Sequence, residues 1–153
     1  MSAHAREATR TPVQMAALIF GIIFLVLGVL GFIPGVTTDY GAMRFAGPGS
    51  DAHLLGVFQV SVLHNIVHLL LGVAGVALAR TWTGARNYLI WGGVITLLLW
   101  IYGMLVGRES AANFVPMNAA DNWLHFVMGI VMVALGVLLT RRTASSRSRV
   151  TPL

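Results

Sequence analysis

Five polar side chains interrupt otherwise apolar stretches of this chain: His64, Asn65, His68, Asn122 and His125. Residues three or four apart share a helix face, so His64, Asn65 and His68 form one polar stripe, and Asn122 and His125 form a second. A polar group in hydrocarbon needs a partner, which turns both stripes toward the interior of a helical assembly. Several chemistries fit. Asn and His can hydrogen-bond between helices and fix their register, at about 0.6 kcal/mol apiece. Two imidazoles on facing helices, His68 and His125, are the arrangement that holds a b-type haem, with an Asn nearby to orient each ring. The i, i+4 pair His64 and His68, with His125 as third ligand, suits a transition metal. A quinone, lipid or pigment pocket completes the range. No carboxylate lies mid-span, and no acid stands at a spacing that suggests a hydrolase triad, so no catalytic residue and no enzymatic activity is expected.

The elements that must position these residues follow from composition. Of 153 residues, 57% are hydrophobic and 10% charged, against about 25% charged in a typical soluble domain. Mean hydropathy is +0.81. The solvent is therefore lipid. With no Cys, disulfides, thiolate nucleophiles and Cys-ligated metals are excluded. At roughly 20 residues per span, four transmembrane helices are expected at about 13–35, 61–79, 87–106 and 122–140. They leave an amino-terminal tail of residues 1–12, outer connections 36–60 and 107–121, and a disordered basic tail of residues 141–153. The first span is too long for a signal peptide and reads as a retained anchor. Its neighbour, 52–60, is expected as a short interfacial helix, with Ser61 capping span two. Residues Arg80 to Arg86 read as a tight turn. Asp121, with Asn118 or Asn122 nearby, reads as a helix cap, and His4 and His53 as solvated side chains.

Topology follows from the ten arginines. Arg6, Arg10, Arg80, Arg86, Arg141, Arg142, Arg147 and Arg149 fall in the two tails and the turn after span two, leaving Arg44 and Arg108 for the outer connections. The positive-inside rule then places both termini in the cytoplasm. Each Arg is worth about 1 kcal/mol against anionic lipid, which accounts for the net charge of +5 without a nucleic-acid partner.

The spans also repeat. A shift of 57 residues matches Asn65 with Asn122, His68 with His125 and Gly72 with Gly129, while a shift of 72 matches Gly21 with Gly93, Leu25 with Leu97 and Gly31 with Gly103. Two hairpins of equal orientation are expected, related by an axis along the membrane normal. Gly21, Gly28 and Gly35 recur every seven residues, as do Gly129 and Gly136, and Gly103 with Gly107 forms a small-xxx-small pair. Such spacing favours close helix approach.

The stretches LGVFQVSVLHNIVHLLLGVAG at Leu55 to Gly75 and ADNWLHFVMGIVMVALG at Ala120 to Gly136 resemble a family of small four-span bacterial membrane proteins, domain of unknown function 4383. The resemblance covers about Met15 to Leu139. It implies a four-helix membrane fold and no assigned activity. Many such proteins carry a Pro shortly before the first histidine motif, where this chain has Ser61 and Val62.

The sequence thus predicts an all-α, polytopic four-helix bundle of the bacterial inner membrane, built from two parallel-repeat hairpins. The expected role is that of a structural or accessory subunit acting by helix packing, with itself or a larger membrane complex, and without a cofactor. A haem-binding or electron-transfer protein using His68 and His125 is the alternative. A small transporter active as an oligomer is the third reading.

Overall fold

A computed structural model describes residues 10–148, with side chains to residue 139. Its bulk is four helices: α1 (Pro12–Leu30), α2 (Val62–Leu78), α3 (Trp82–Leu105) and α4 (Ala119–Ser148). α1, α3 and the Ala119–Leu139 part of α4 are long and apolar enough to cross a membrane, while α2 is a shorter apolar helix. The chain is a helical membrane protein. Large side chains such as Ile19, Leu70, Trp91 and Val127 stand exposed on the outer faces, where lipid rather than protein would meet them.

Each helix boundary has a local cause. Thr11 precedes Pro12, and its N–H donates to the Gln14 side chain at 3.1 Å. The Gln14 amide also donates to the carbonyls of Ala79 (3.1 Å) and Arg80 (2.9 Å), tying the start of α1 to the end of α2. α1 stops at Leu30, short of the expected residue 35, because the Thr37 hydroxyl donates to the Leu30 carbonyl at 3.1 Å and draws the chain off the helix axis. Ser61 caps α2, its hydroxyl accepting from the His64 N–H at 3.1 Å. Thr81 caps α3 in the same way through the Gly84 N–H. The turn expected over residues 80–86 is consequently shorter, and Arg86 lies on α3. Asn118 caps α4 by accepting from the Asp121 N–H at 3.0 Å, so this helix begins three residues before the expected 122. It also continues to Ser148, against the disorder expected from residue 141, since nothing from Arg141 to Ser148 breaks a helix. The amino-terminal tail to residue 9 and the last five residues lie outside the described residues.

The connection between α1 and α2 corrects a second expectation. Where an interfacial helix was predicted over 52–60, the chain forms β2 (Ala52–Leu54) and β3 (Phe58–Val60), joined to β1 (Thr37–Thr38) in an antiparallel sheet of order β1-β2-β3. His53 pairs with Gln59, and Leu54 with Phe58. Ala52, Leu54 and Val60 point inward and are buried as a small core, a period of two that suits a strand. Leu55 and Gly56, both at positive φ, make the turn, which glycine adopts without steric cost. This sheet covers one end of the bundle, the end at which α1 and α3 finish and α2 and α4 begin.

α1 packs on α2 and α3 on α4, through glycines. A Cβ at Gly21 would lie 2.7 Å from the Val76 nitrogen, and one at Gly72 would lie 2.6 Å from Leu25. In the other hairpin, Gly93 meets Val133 at 2.8 Å and Gly129 meets Leu97 at 2.6 Å. Gly28 and Gly136 similarly face Leu69 and Ile90 at 2.8 Å. Gly107 does not share this role. It lies beyond the end of α3 with nothing within 4 Å of a Cβ there, and Gly35 is likewise open in its turn. The apolar core, with Phe20, Phe24, Ala85, Leu89 and Met132, fills the bundle away from the sheet. The polar residues occupy the other end.

Candidate functional site

His64 and His68 stand one turn apart on the first two turns of α2, and His125 stands on the second turn of α4. All three are buried, at 2%, 7% and 5% exposure. Their ring centres form a triangle of 4.5 Å (His64 to His68), 5.8 Å (His64 to His125) and 6.3 Å (His68 to His125). One ring nitrogen from each lies within 4.8 Å of the others. Phe24 of α1 closes one side, its ring centre 5.7 Å from that of His68.

The hydrogen bonds around these rings are few. The His125 Nδ1 donates to the carbonyl of Asp121 at 2.7 Å. A carbonyl only accepts, so that nitrogen carries the proton and Nε2 of the neutral ring presents its lone pair. Both ring nitrogens of His64, and Nδ1 of His68, are buried without a hydrogen-bond partner. The backbones of Gln59 and Pro116 lie near the His64 ring without meeting hydrogen-bond geometry. Burying such groups unpaired costs about 1–3 kcal/mol each. Three such nitrogens together make this cluster a candidate ligand site.

The two asparagines do not join the histidines. Asn65 packs against Gly31, and its amide reaches only the Met43 sulfur, at 3.9 Å. Asn122 packs against Gly103 and donates to the Gly103 carbonyl at 3.2 Å. Neither orients an imidazole, contrary to the expectation. They sit instead on the two hairpin seams, where the absence of a glycine side chain makes room for an amide.

Asp121 does more than cap a helix. Its Oδ2 accepts from the backbone N–H groups of Asn118 (2.9 Å) and Gln59 (3.0 Å), while its own carbonyl holds His125. Asn118 in turn donates to the Val57 carbonyl at 2.6 Å. The sheet, the start of α4 and the orientation of His125 are therefore one connected unit. A signal existed in the sequence: the 57-residue shift that pairs Asn65 with Asn122 also pairs His64 with Asp121.

Beside the triangle lies a cavity of about 230 Å³, bounded by the three histidines, Phe24, Leu63, Val67, Leu71, Thr96, Leu99, Phe114 and Val115. Thr96 contributes no free donor to it, because its hydroxyl bonds the Gly92 carbonyl at 2.8 Å. Apart from the imidazoles the wall is apolar. Chemically, the site offers lone pairs in an environment with no acid among the described residues that line it.

A helical bundle with membrane-spanning segments, a sheet over one end and a buried imidazole cluster beneath it defines the class as a helical membrane protein with a candidate ligand site. The chain belongs to the family described as Domain of unknown function (DUF4383), whose model matches residues 14–138. No curated protein and no solved structure matches it.

Proposed function

We propose that this protein is a four-span, bacterial inner-membrane protein, with both termini cytoplasmic, that binds a first-row transition-metal ion through His64, His68 and His125. The convergence of three buried, largely unpartnered imidazoles carries the reading. Tetrahedral coordination with bonds of about 2.0 Å places ring centres roughly 5 Å apart, close to the observed triangle. The His125 Nδ1 bond to a carbonyl is the outer-shell contact that metal-bound histidines commonly make. An all-imidazole set suits zinc, copper, nickel or iron.

The same triangle counts against haem. His64 has its ring centre about 4 Å from the midpoint between His68 and His125, within the area that a porphyrin held by two axial imidazoles would fill. A role resting on glycine faces toward another subunit also loses support, since those glycines, Gly35 and Gly107 apart, are covered within the chain. Equivalent contacts in the two halves support the repeat: Gly21 and Leu25 on Gly72, Gly93 and Leu97 on Gly129, Gly31 on Asn65 and Gly103 on Asn122. α2 is about 26 Å long at 1.5 Å per residue. Beside a hydrocarbon layer of about 30 Å, it is completed as a span by the sheet above it.

Elemental analysis of detergent-purified protein from zinc-, copper- or nickel-supplied cells tests the proposal. About one ion per chain is expected, lost in His64→Ala, His68→Ala and His125→Ala and retained in Asn65→Ala. Protein that stays metal-free through titration with all three ions would mean the rings are bridged by ordered water instead.

A further inference from the structure

The metal reading leaves one coordination position open, and the surroundings of that position restrict what fills it. Three neutral imidazoles leave a divalent ion with its full double charge. Among the described residues lining the cavity there is no acid, and the nearby Asp121 carboxylate is already engaged by the Gln59 and Asn118 N–H groups. A buried charge without compensation is strongly unfavourable, so the open position favours an anionic oxygen. The rest of the cavity favours something else. Leu63, Val67, Leu71 and Leu99 present hydrocarbon, with Phe114 above them. The cavity lies between α2 and α3, where these leucines and Val67 are only half-buried and Phe114 is 55% exposed. Its mouth therefore meets the bilayer side of the bundle. At about 30 Å³ per water-sized group, a volume of about 230 Å³ accepts a chain of roughly eight heavy atoms.

We propose that the cavity binds a single-chain amphiphilic carboxylate, its oxygen head on the metal held by His64, His68 and His125 and its hydrocarbon tail against Val67, Leu71 and Leu99. The inference rests on the metal reading, and it adds the ligand class. Charge sets the head, and the apolar wall sets the tail. Acetate supplies only the first, octane-1-ol only the second, and neither matches a ligand carrying both.

Cobalt-substituted protein in a neutral maltoside detergent provides the test, because the visible absorption of Co²⁺ reports both the metal and its fourth ligand. Octanoate is expected to shift that spectrum saturably. Acetate is expected to bind about a hundredfold more weakly, since it buries almost no methylene groups, and octane-1-ol is expected to leave the spectrum unchanged. Val67→Phe and Leu99→Phe fill the cavity without touching a ligand, and should keep the cobalt spectrum while losing the octanoate response. A cobalt site that ignores octanoate, responds equally to acetate, or keeps its octanoate response in both filled variants overturns the carboxylate proposal alone. Failure to take up cobalt at all overturns both it and the metal reading.

Discussion

The two hairpins, α1 with α2 and α3 with α4, meet through matching glycines but finish differently at the sheet-bearing end. Gly21 against Gly72 and Gly93 against Gly129 bring backbones together in the same way, and Asn65 and Asn122 each fill the space beside a glycine of the neighbouring helix. One residue earlier on each helix, the first hairpin carries His64, with both ring nitrogens unpartnered, and the second carries Asp121, whose Oδ2 accepts from two backbone N–H groups. A shared packing scheme thus supports two roles. One half leaves lone pairs free for a ligand, and the other fixes the cap that positions His125.

The strongest way to break this contrast is to remove its two distinctive residues in turn. Asp121→Ala would leave the part-buried Gln59 and Asn118 N–H groups without their acceptor, a loss of about 3 kcal/mol, and would loosen the start of α4 that carries His125, although the backbone carbonyl that holds the ring remains. Thermal unfolding should show the destabilisation, with weakened metal uptake beside it. His64→Ala should abolish metal binding yet leave the metal-free melting temperature almost unchanged, because the packing lost with the buried ring is offset by relief of its two unpartnered nitrogens. Equal destabilisation by both substitutions would dissolve the contrast.

The glycine crossings sharpen the other side of the comparison. Gly72→Leu and Gly129→Leu each force backbones apart, at about 1–3 kcal/mol. Similar losses in folding stability, measured by denaturation in mixed micelles, are expected because the contacts are equivalent. A large loss in one and none in the other would show that the hairpins pack by unrelated means. Smaller still is the difference between the asparagines. Asn122→Ala removes a hydrogen bond to Gly103 and should cost about 0.6 kcal/mol, whereas Asn65→Ala removes only a weak contact with sulfur and should cost less. Gly107→Ala should change stability by no more than about 0.5 kcal/mol, since the position is open.

These residues also mark how far sequence reasoning reached. The helical membrane class was legible because a residue type and its solvent are tied by transfer energy: 57% hydrophobic and 10% charged residues leave no other solvent. Ser61 as a cap was readable because a single hydroxyl next to an apolar run satisfies an exposed N–H locally. Ala52 to Val60 was misread because nine residues of mixed polarity carry both helical and strand periods, and only pairing with Thr37 and Thr38 decides between them.

Spacing along α2 and α4 was enough to single out His64, His68 and His125, because helix geometry is local. It was not enough to separate them from Asn65 and Asn122, which share the same faces. That division came from tertiary contacts: Gly31 and Gly103 admit the amides at the seams, while the imidazoles converge on one another. Asp121 shows the same boundary. Its capping partner lies three residues away and was visible, but its bond to Gln59 spans 62 positions in the chain. Composition and short-range periodicity determine which segments leave water. Which of their polar groups meet depends on how separated segments fit together, and that is a property of the folded chain.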